Sequence, residues 1–257
     1  MTVTLIIKLF LFIAVYIALF TVNLIIYLID RLFLLNDKFI KIRIYTLSVS
    51  STVILKILRI KVNVEKINIY DKNSFIISNH LSYIDILIIS SIYKSSFIGS
   101  IDQVKNNKFF GYLALISGCV FVNRKERINI QNEIKEISNK LKRTSICFFP
   151  EATTSNGSKV LPFKSSFFQC IKNSPNYLKI LTINYQKING KKVSFENRDL
   201  IFYYGNHMFF NHFINLLKQN TIEVLITEKL EKNTNLHRKT LSQNTYNQIS
   251  SNYIPIM

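Results

Sequence analysis

The sequence predicts an α/β domain with a largely parallel or mixed sheet flanked by helices, preceded by an N-terminal membrane-anchoring helical segment. Three observations support this prediction. A long uncharged apolar run lies near the N-terminus, short apolar runs alternate with longer amphipathic ones, and polar residues follow several of the short runs. A length of 257 residues suits one main domain with a sizeable core.

The N-terminal apolar run extends from Leu9 to Ile29 and contains no charged residue. At ~1.5 Å per residue, a helix of this length crosses a hydrocarbon layer ~30 Å thick. No Ala-x-Ala cleavage site follows the run, so we predict an uncleaved membrane anchor and not a signal peptide. More Lys and Arg residues follow the run than precede it, which places the rest of the chain in the cytoplasm.

A second apolar stretch, residues 44–60, is interrupted by hydroxyl-bearing and basic residues and is too polar for a confident second span. Two interpretations stay open: an amphipathic helix at the membrane interface, or a helix packed on the following domain. Short apolar runs separated by polar clusters begin after Lys61. We therefore place the domain boundary near residue 60, with residues 1–60 as anchor and interfacial helix and residues 61–257 as the α/β domain.

Short runs of β-branched and aromatic residues predict the strands, and longer runs with apolar residues at helical spacing predict the helices. The predicted strands are residues 75–78, 96–100, 119–122, 145–149, 178–185, 200–204 and 222–227. The predicted helices are residues 83–93, 102–117, 126–142 and 207–218. Several strands are apolar throughout, as expected when helices cover both faces of a sheet. Ligands bind beyond the carboxyl ends of strands in such sheets, so polar residues at those ends are the candidate site.

The chain is strongly basic, with 33 Lys and Arg against 15 Asp and Glu and a formal net charge of +18. Nucleic acid and an anionic membrane surface both attract such a charge. We predict membrane lipids as partners and no nucleic acid, because the sequence lacks an interleaved aromatic and basic RNA-recognition motif and a zinc knuckle. It also lacks the Gly-x-Ser-x-Gly motif of serine hydrolases.

Cysteine and histidine spacing does not indicate a metal site. Cys119, Cys147 and Cys170 lie far apart with no Cys-x-x-Cys spacing, which is typical of buried free thiols in a reducing compartment. His207 and His212 lie five positions apart, a poor spacing for one helix face. We predict that these histidines lie in the core or an interface and that the protein binds no metal.

The stretch Ile-Ser-Asn-His-Leu-Ser-Tyr-Ile-Asp, residues 77–85, lies where a predicted strand passes into a predicted helix. Ser82 followed by Asp85 is a helix-start pattern, in which Ser82 caps the helix and His80 is an ordinary loop residue. The same spacing lets Asp85 hold one imidazole nitrogen of His80, which leaves the other nitrogen free as a general base. This stretch alone leaves both interpretations open.

Two further strand ends carry polar residues. Arg124 follows the predicted strand 119–122, where it is either a surface side chain or an anion ligand. The strand 145–149 stops at Pro150, and a loop of small and hydroxyl-bearing residues follows. That loop is either a polar surface turn or a cradle of N–H and hydroxyl donors for a phosphate.

Together the three motifs are more specific than any one of them. His-x4-Asp, then Gly-x-x-Phe-x-x-Arg, then Phe-Pro-Glu-x-Thr resemble, in this order, the blocks of glycerolipid acyltransferases. The resemblance is closest to 1-acylglycerol-3-phosphate (lysophosphatidic acid) acyltransferases and covers roughly residues 60–215. It implies that residues 61–257 form an acyltransferase domain of phospholipid biosynthesis, attached to the membrane and facing the cytoplasm.

The resemblance also implies a role for each matching residue. His80 would take the proton from the acceptor hydroxyl, and Asp85 would orient His80. The hydroxyl would then attack the thioester of acyl-CoA or acyl carrier protein, which are substrates, so no resident cofactor is expected. Arg124 would bind the phosphate of the lysophospholipid acceptor. The full set of implied substrate-binding residues is Arg124, Glu151, Ala152, Thr153 and Lys164.

Two positions depart from the family's pattern. Ala152 stands where the family usually has glycine, and an alanine is strained if that backbone needs a positive φ. Residues 178–185 contain Thr182 and no proline, whereas the corresponding block of the family contains proline. Neither change removes a reacting group, so both bear on the acceptor more than on the reaction. The alternatives are a same-fold acyltransferase for another lysolipid, or a catalytically silent membrane scaffold.

Overall fold

The computed structural model describes residues 3–35, 37–65, 73–101, 108–123, 130–171, 177–231 and 236–256. The helices are α1 (Val3–Leu32), α2 (Ile40–Ile57), α3 (Ile84–Tyr93), α4 (Lys108–Ile116), α5 (Ile130–Leu141), α6 (Phe209–Leu217) and α7 (Arg238–Asn252). The strands are β1 (Ile60–Glu65), β2 (Phe75–Ser78), β3 (Ser95–Ser100), β4 (Val120–Val122), β5 (Ser145–Phe148), β6 (Leu178–Ile188), β7 (Lys191–Lys192) and β8 (Ile222–Glu231). Short 3₁₀ turns cover Ser166–Cys170 and Arg198–Leu200.

The strands form one mixed sheet of 8 strands in the order β1-β8-β6-β2-β5-β3-β4, with β7 paired to β6. From β6 to β4 the neighbouring strands are parallel, whereas β8 runs antiparallel to β6 and parallel to β1. This arrangement confirms the predicted α/β class with a mixed sheet. All four residues of β2 are buried between β6 and β5, so the carboxyl end of β2 opens at the middle of the sheet edge.

Most predicted elements match observed ones where the structure describes them, and one strand prediction is wrong. Residues 102–107 and 126–129, which belong to two predicted helices, lie outside the described residues. Residues 200–204 form no strand: Leu200 ends a 3₁₀ turn, and the N–H of Phe202 donates to the carbonyl of Arg198. Ile201 and Phe202 are nevertheless fully buried. A short apolar run indicates that its residues are buried. Burial alone does not distinguish a strand from an irregular core segment.

The sequence prediction also omitted elements. The strand β1 begins at the position taken as a domain boundary, and it alternates between more and less buried residues. The helix α7 is rich in Asn, Ser and Gln, and its buried positions Leu241, Thr245 and Ile249 supply only a narrow apolar stripe. Such a stripe is too weak to predict a helix from sequence, because packing against the sheet supplies most of the stability.

The helix α1 is the one helix in the described ranges that is long and apolar enough to cross a membrane. Three of its polar side chains nevertheless contact the rest of the protein. The Nζ atom of Lys8 donates to the carbonyls of Leu217 and Gln219, at 3.0 and 2.7 Å. The Nδ2 atom of Asn23 donates to the Oγ atom of Ser117 at 3.0 Å.

The third polar side chain of α1 is Asp30, which lies 3.4 Å from the guanidinium of Arg43 in α2. Arg43 is only 1% exposed and also bonds Asp37 and the carbonyl of Ile116, at 2.7 and 2.9 Å. A buried guanidinium needs such partners, because an unpaired buried charge is strongly destabilising. The helices α1 and α2 are therefore fixed to each other and to the body, while the division of the chain at residue 60 stays a prediction.

Candidate active site

The candidate site is built on the turn between β2 and α3. The Nδ1 atom of His80 lies 2.9 Å from the Oδ2 atom of Asp85. The same oxygen accepts the backbone N–H groups of Leu81 and Ser82, at 2.7 and 2.9 Å. Asp85 therefore caps the turn that carries His80, and the five-residue spacing follows from this geometry.

The predicted capping role of Ser82 is wrong. The residue at the N-cap position is Tyr83, which makes no side-chain cap bond, and the buried Ser82 hydroxyl has no hydrogen-bond partner among the described residues. The carboxylate of Asp85 supplies the acceptor in its place and also benefits from the helix N-terminus. Helix start and imidazole contact are thus functions of one side chain.

Tyr185, in the carboxyl-terminal half of β6, completes the surroundings of Asp85. Its hydroxyl donates to the Oδ1 atom of Asp85 at 2.7 Å. The Asp85 side chain is 0% exposed, whereas the His80 side chain keeps 13% of its surface exposed. With Nδ1 directed at the carboxylate, the Nε2 atom of His80 makes no hydrogen bond to any described residue and is available to a substrate.

The loop after β5 holds the backbone of His80. The His80 N–H donates to the Oε1 atom of Glu151 at 2.7 Å, and the His80 carbonyl accepts the N–H of Ser155 at 2.9 Å. The ring of Phe149 stacks on the imidazole with centroids 3.8 Å apart and an angle of 10°. The motif Phe-Pro-Glu therefore fixes both the backbone and the ring plane of the candidate base.

Glu151 is 4% exposed, and its Oε2 atom accepts the N–H of Leu161 at 2.7 Å. Burial raises the pKa of Glu151 to about 8, while the two N–H bonds lower it and the nearby Asp85 charge raises it. Since both carboxylate oxygens are engaged by the backbone, the geometry favours a role in shaping the loop around His80. A direct contact of Glu151 with substrate stays a prediction.

Ala152 adopts a φ of 62°, the left-handed conformation that favours glycine. Thr153 and Lys164 expose their side chains on the same loop, and the N–H of Lys164 donates to the carbonyl of Pro150. Arg124 lies outside the described residues, just beyond the end of β4. The structure thus brings His80, Asp85 and Glu151 into contact, and the binding roles of the remaining residues stay predictions.

Sequence reasoning missed two residues that support the site. In the sequence, Tyr185 is only the last residue of the predicted strand 178–185. The side chain of Asn79, the neighbour of His80, bonds both the N–H and the carbonyl of Ile183 in β6, at 2.8 and 2.9 Å. Asn79 extends the β2–β6 pairing past the end of β2. The amide of Asn79 beside the histidine is the only local sequence feature that points to this contact. Its partner in β6 cannot be identified without the strand order of the sheet.

The fold and the site define an α/β protein with a buried carboxylate–imidazole pair at a central strand end, behind an apolar N-terminal helix. Residues 59–186 match the family model described as Acyltransferase, and the chain belongs to this family. The solved structure of the 1-acyl-sn-glycerophosphate (LPA) acyltransferase PlsC from Thermotoga maritima has the same fold. The TM-score is 0.62 at 18% identity, over 96% of this chain and 95% of that one.

Two groups of relatives are similar in sequence. The lyso-ornithine lipid O-acyltransferase of Rhizobium meliloti is 29% identical over 176 residues, 65% of this chain and 60% of that protein. The 1-acyl-sn-glycerol-3-phosphate acyltransferase of Neisseria gonorrhoeae is 33% identical over 118 residues, 46% of each chain. The chain thus spans between about half and three fifths of the length of these relatives.

The left-handed backbone of Ala152 predicts that Ala152→Gly stabilises the protein by about 1 kcal/mol, because glycine adopts this conformation without the Cβ clash. Thermal unfolding of the purified protein in detergent measures the change. The matched control is Ala114→Gly in α4, where the backbone is right-handed and glycine should destabilise by a similar amount. Equal and opposite shifts are expected, and a loss of stability in both variants would contradict the assignment of strain.

The raised pKa of Glu151 predicts a pH trend. A folded pKa of about 8 against an ordinary 4.5 means that the folded state binds this proton more tightly, so stability declines as the pH rises from about 5 through 8. Glu151→Gln removes the titration. The melting temperature of the wild type minus that of the variant should fall over this range, whereas Glu196→Gln, at an exposed position, should show no trend. A difference independent of pH would mean that Glu151 is ionised throughout.

Proposed function

We propose that this protein is a membrane-bound O-acyltransferase that moves a fatty acyl group from acyl-CoA or acyl carrier protein to the free hydroxyl of 1-acylglycerol-3-phosphate, giving phosphatidic acid. The observation that carries the proposal is the contact between His80 and Asp85 at the carboxyl end of β2. The named relatives that acylate a lysolipid support the reaction class.

The geometry suits general-base catalysis. Asp85 accepts the Nδ1–H of His80, which sets the tautomer and stabilises the imidazolium that forms. The Nε2 atom takes the proton of the acceptor hydroxyl as the oxygen attacks the thioester carbonyl. The tetrahedral intermediate then expels the thiolate, the C–S bond breaks, and the imidazolium returns its proton to the sulfur. The products are the ester and the free thiol.

The acceptor headgroup is proposed to lie over the loop that follows β5. Thr153 and Lys164 are exposed on this loop, and Arg124 follows β4 in the sequence. Two basic side chains and a hydroxyl suit a phosphate monoester. The net charge of +18 further favours anionic lipids over neutral ones.

A second acceptor, a lyso-ornithine lipid, is favoured by two observations. The similarity to the Rhizobium meliloti protein extends over 65% of this chain, against 46% for the Neisseria protein. In addition, Ala152 places a Cβ in the left-handed position of this loop where the glycerophosphate acyltransferases usually have glycine. An ornithine headgroup has no phosphate, so the two acceptors are distinguishable by assay.

The membrane attachment is proposed to involve the exposed apolar face of α1. Phe10 and Ile17 are 70% and 58% exposed on this helix, although both are strongly apolar. Because polar side chains of α1 are fixed to the body at Lys8 and Asp30, we propose that the helix lies along the membrane with this face in the lipid. The catalytic domain is proposed to face the cytoplasm.

The catalytic proposal predicts that His80→Ala lowers kcat/KM for the true acceptor by ~10²- to 10⁴-fold, as is typical for loss of a general base. The assay offers lysophosphatidic acid and lyso-ornithine lipid separately, each with acyl-CoA and acyl carrier protein as donor. His237→Ala, at an exposed residue, is the control and should retain full activity.

The outcomes separate the alternatives. A His80→Ala variant as active as the wild type would refute the catalytic assignment. Acylation of lyso-ornithine lipid alone would establish the second acceptor. If the folded wild type acylates neither acceptor from either donor, the proposed reaction is refuted for both acceptors, and an acyltransferase for a different lysolipid or a catalytically silent membrane scaffold is favoured.

The attachment proposal predicts that the double variant Phe10→Gln, Ile17→Gln binds anionic vesicles more weakly at high salt, where electrostatic attraction is screened. Transfer of two large apolar side chains contributes about 3–6 kcal/mol, so partitioning should fall at least ~10²-fold. Vesicle co-sedimentation measures the change. Phe195→Gln, at a 50% exposed position outside α1, is the control and should bind like the wild type. Unchanged binding of the double variant would exclude this face of α1.

A further inference from the structure

We propose that Tyr185 is a positioning residue for acyl transfer, whose hydroxyl fixes the Asp85 carboxylate and, through it, the orientation of the His80 imidazole. This inference rests on the proposed catalytic role of His80. Tyr185 itself is 6% exposed, and among the described residues its hydroxyl is linked to the candidate base through Asp85. It is therefore not a substrate ligand.

The pairing of β6 with β2 places Tyr185 next to Asp85. In the parallel pairing of β2 with β6, Ser78 lies opposite Leu181, so Tyr185 lies beyond the end of β2 on the side where His80 emerges. The β6–β8 pairing shifts register between Tyr185 and Lys187. A bulge of this kind redirects the neighbouring side chain, and such bulges are common beside active sites.

The hydrogen bonds of Asp85 are divided unequally between its two oxygens. Oδ2 receives the His80 ring and the N–H groups of Leu81 and Ser82. Among the described residues, the Oδ1 atom receives Tyr185 alone, at 2.7 Å. Because Asp85 is fully buried, removal of this hydroxyl leaves half of a desolvated carboxylate without a partner.

The Tyr185 hydroxyl stays protonated and so remains a donor. Burial raises the pKa of Tyr185 well above its ordinary 10, and the charge of Asp85 raises it further. The other titratable groups that interact with the Asp85 charge, besides His80, are Glu151, Cys147 and Tyr253. None of these is a cation, and none donates a hydrogen bond to Asp85 within the described ranges, so none substitutes for Tyr185.

Loss of the hydroxyl has two chemical consequences. The carboxylate is then held through Oδ2 alone, so its plane can tilt about that oxygen, which changes the angle between Oδ2 and the imidazole and misaligns Nε2 with the acceptor. Its charge is also less neutralised and holds the imidazolium proton more strongly. A tyrosine that merely fills space in the core would produce neither effect.

The test is Tyr185→Phe, which deletes only the hydroxyl. We expect kcat to fall by about 10- to 100-fold, the range for one lost hydrogen bond to a charged group, while KM changes less than about twofold. We also expect the acidic limb of the kcat/KM profile to move to higher pH by roughly half a unit. A variant that loses thermal stability but keeps the kcat and pH profile of the wild type would overturn the inference.

The chain offers a matched control in Tyr93. Its hydroxyl donates to the Oε2 atom of Glu228 at 2.8 Å, another tyrosine–carboxylate bond inside this fold and away from Asp85. Tyr93→Phe should lower the melting temperature comparably and leave kcat and the pH profile unchanged. If both variants lower kcat equally, the effect is general destabilisation and Tyr185 has no positioning role.

A third variant keeps the test decisive if Tyr185→Phe does not fold. Site-specific 3-fluorotyrosine at position 185 preserves the hydroxyl and makes it a stronger donor, so the acidic limb should move to lower pH, opposite to the phenylalanine variant. An unmoved limb overturns the inference. The parent proposal is tested separately: a fully active His80→Ala refutes the catalytic site, whereas an inactive His80→Ala with a wild-type fluorotyrosine profile refutes only the role of Tyr185.

Discussion

The local structure around the site depends on one buried charge, the carboxylate of Asp85. A carboxylate removed from water is costly unless hydrogen-bond donors surround it, and here the donors come from separate parts of the chain. The turn after β2 supplies two N–H groups, the imidazole supplies a third contact, and β6 supplies a hydroxyl. The turn conformation, the start of α3 and the placement of β6 must therefore all be correct together.

The loop after β5 extends the same constraint to the end of the chain. Glu151 fixes the backbone of His80, and Gly157 in the same loop accepts the hydroxyl of Tyr253 and the N–H of Ile256, at 2.7 and 3.2 Å. Gly157 has a φ of 81°, and a Cβ there would lie 2.2 Å from the ring of Phe202. No other residue fits this position, so the C-terminal segment closes over a loop whose shape its glycine sets.

The sequence predicted the parts of this arrangement that local pattern determines. The strands β2 and β5 are short, largely apolar runs, so their predicted bounds nearly coincide with the observed ones, whereas β6 continues past the predicted end at residue 185 to Ile188. The pair His80 and Asp85 was predicted because five positions span one turn. Tyr185 was not, because its contact with Asp85 crosses 100 residues and requires β6 to lie beside β2. Strain at Ala152 was expected if its backbone had a positive φ, and the observed φ is 62°.

The polar residues of α1 link the proposed membrane face to the site through α6. Lys8 binds carbonyls at the carboxyl end of α6, where the helix dipole favours a cation. Nearer the amino end of α6, the Nδ1 atom of His212 lies 3.0 Å from the hydroxyl of Tyr83, in the turn between His80 and Asp85. Burial lowers the pKa of His212 to about 4, so this imidazole is neutral and shares a hydrogen bond with the Tyr83 hydroxyl.

A helix that only anchored the chain would not need these polar contacts, since each introduces a polar group into an apolar segment. The contacts instead fix the position of α1 relative to the site. With α1 fixed to α6, and α6 fixed to the turn that carries the imidazole, the candidate base has a defined height above any surface in which the exposed face of α1 lies. A lysolipid whose acyl chain stays in that surface presents its hydroxyl at a defined height as well. Rigid attachment therefore substitutes for much of the binding that a soluble acceptor would require.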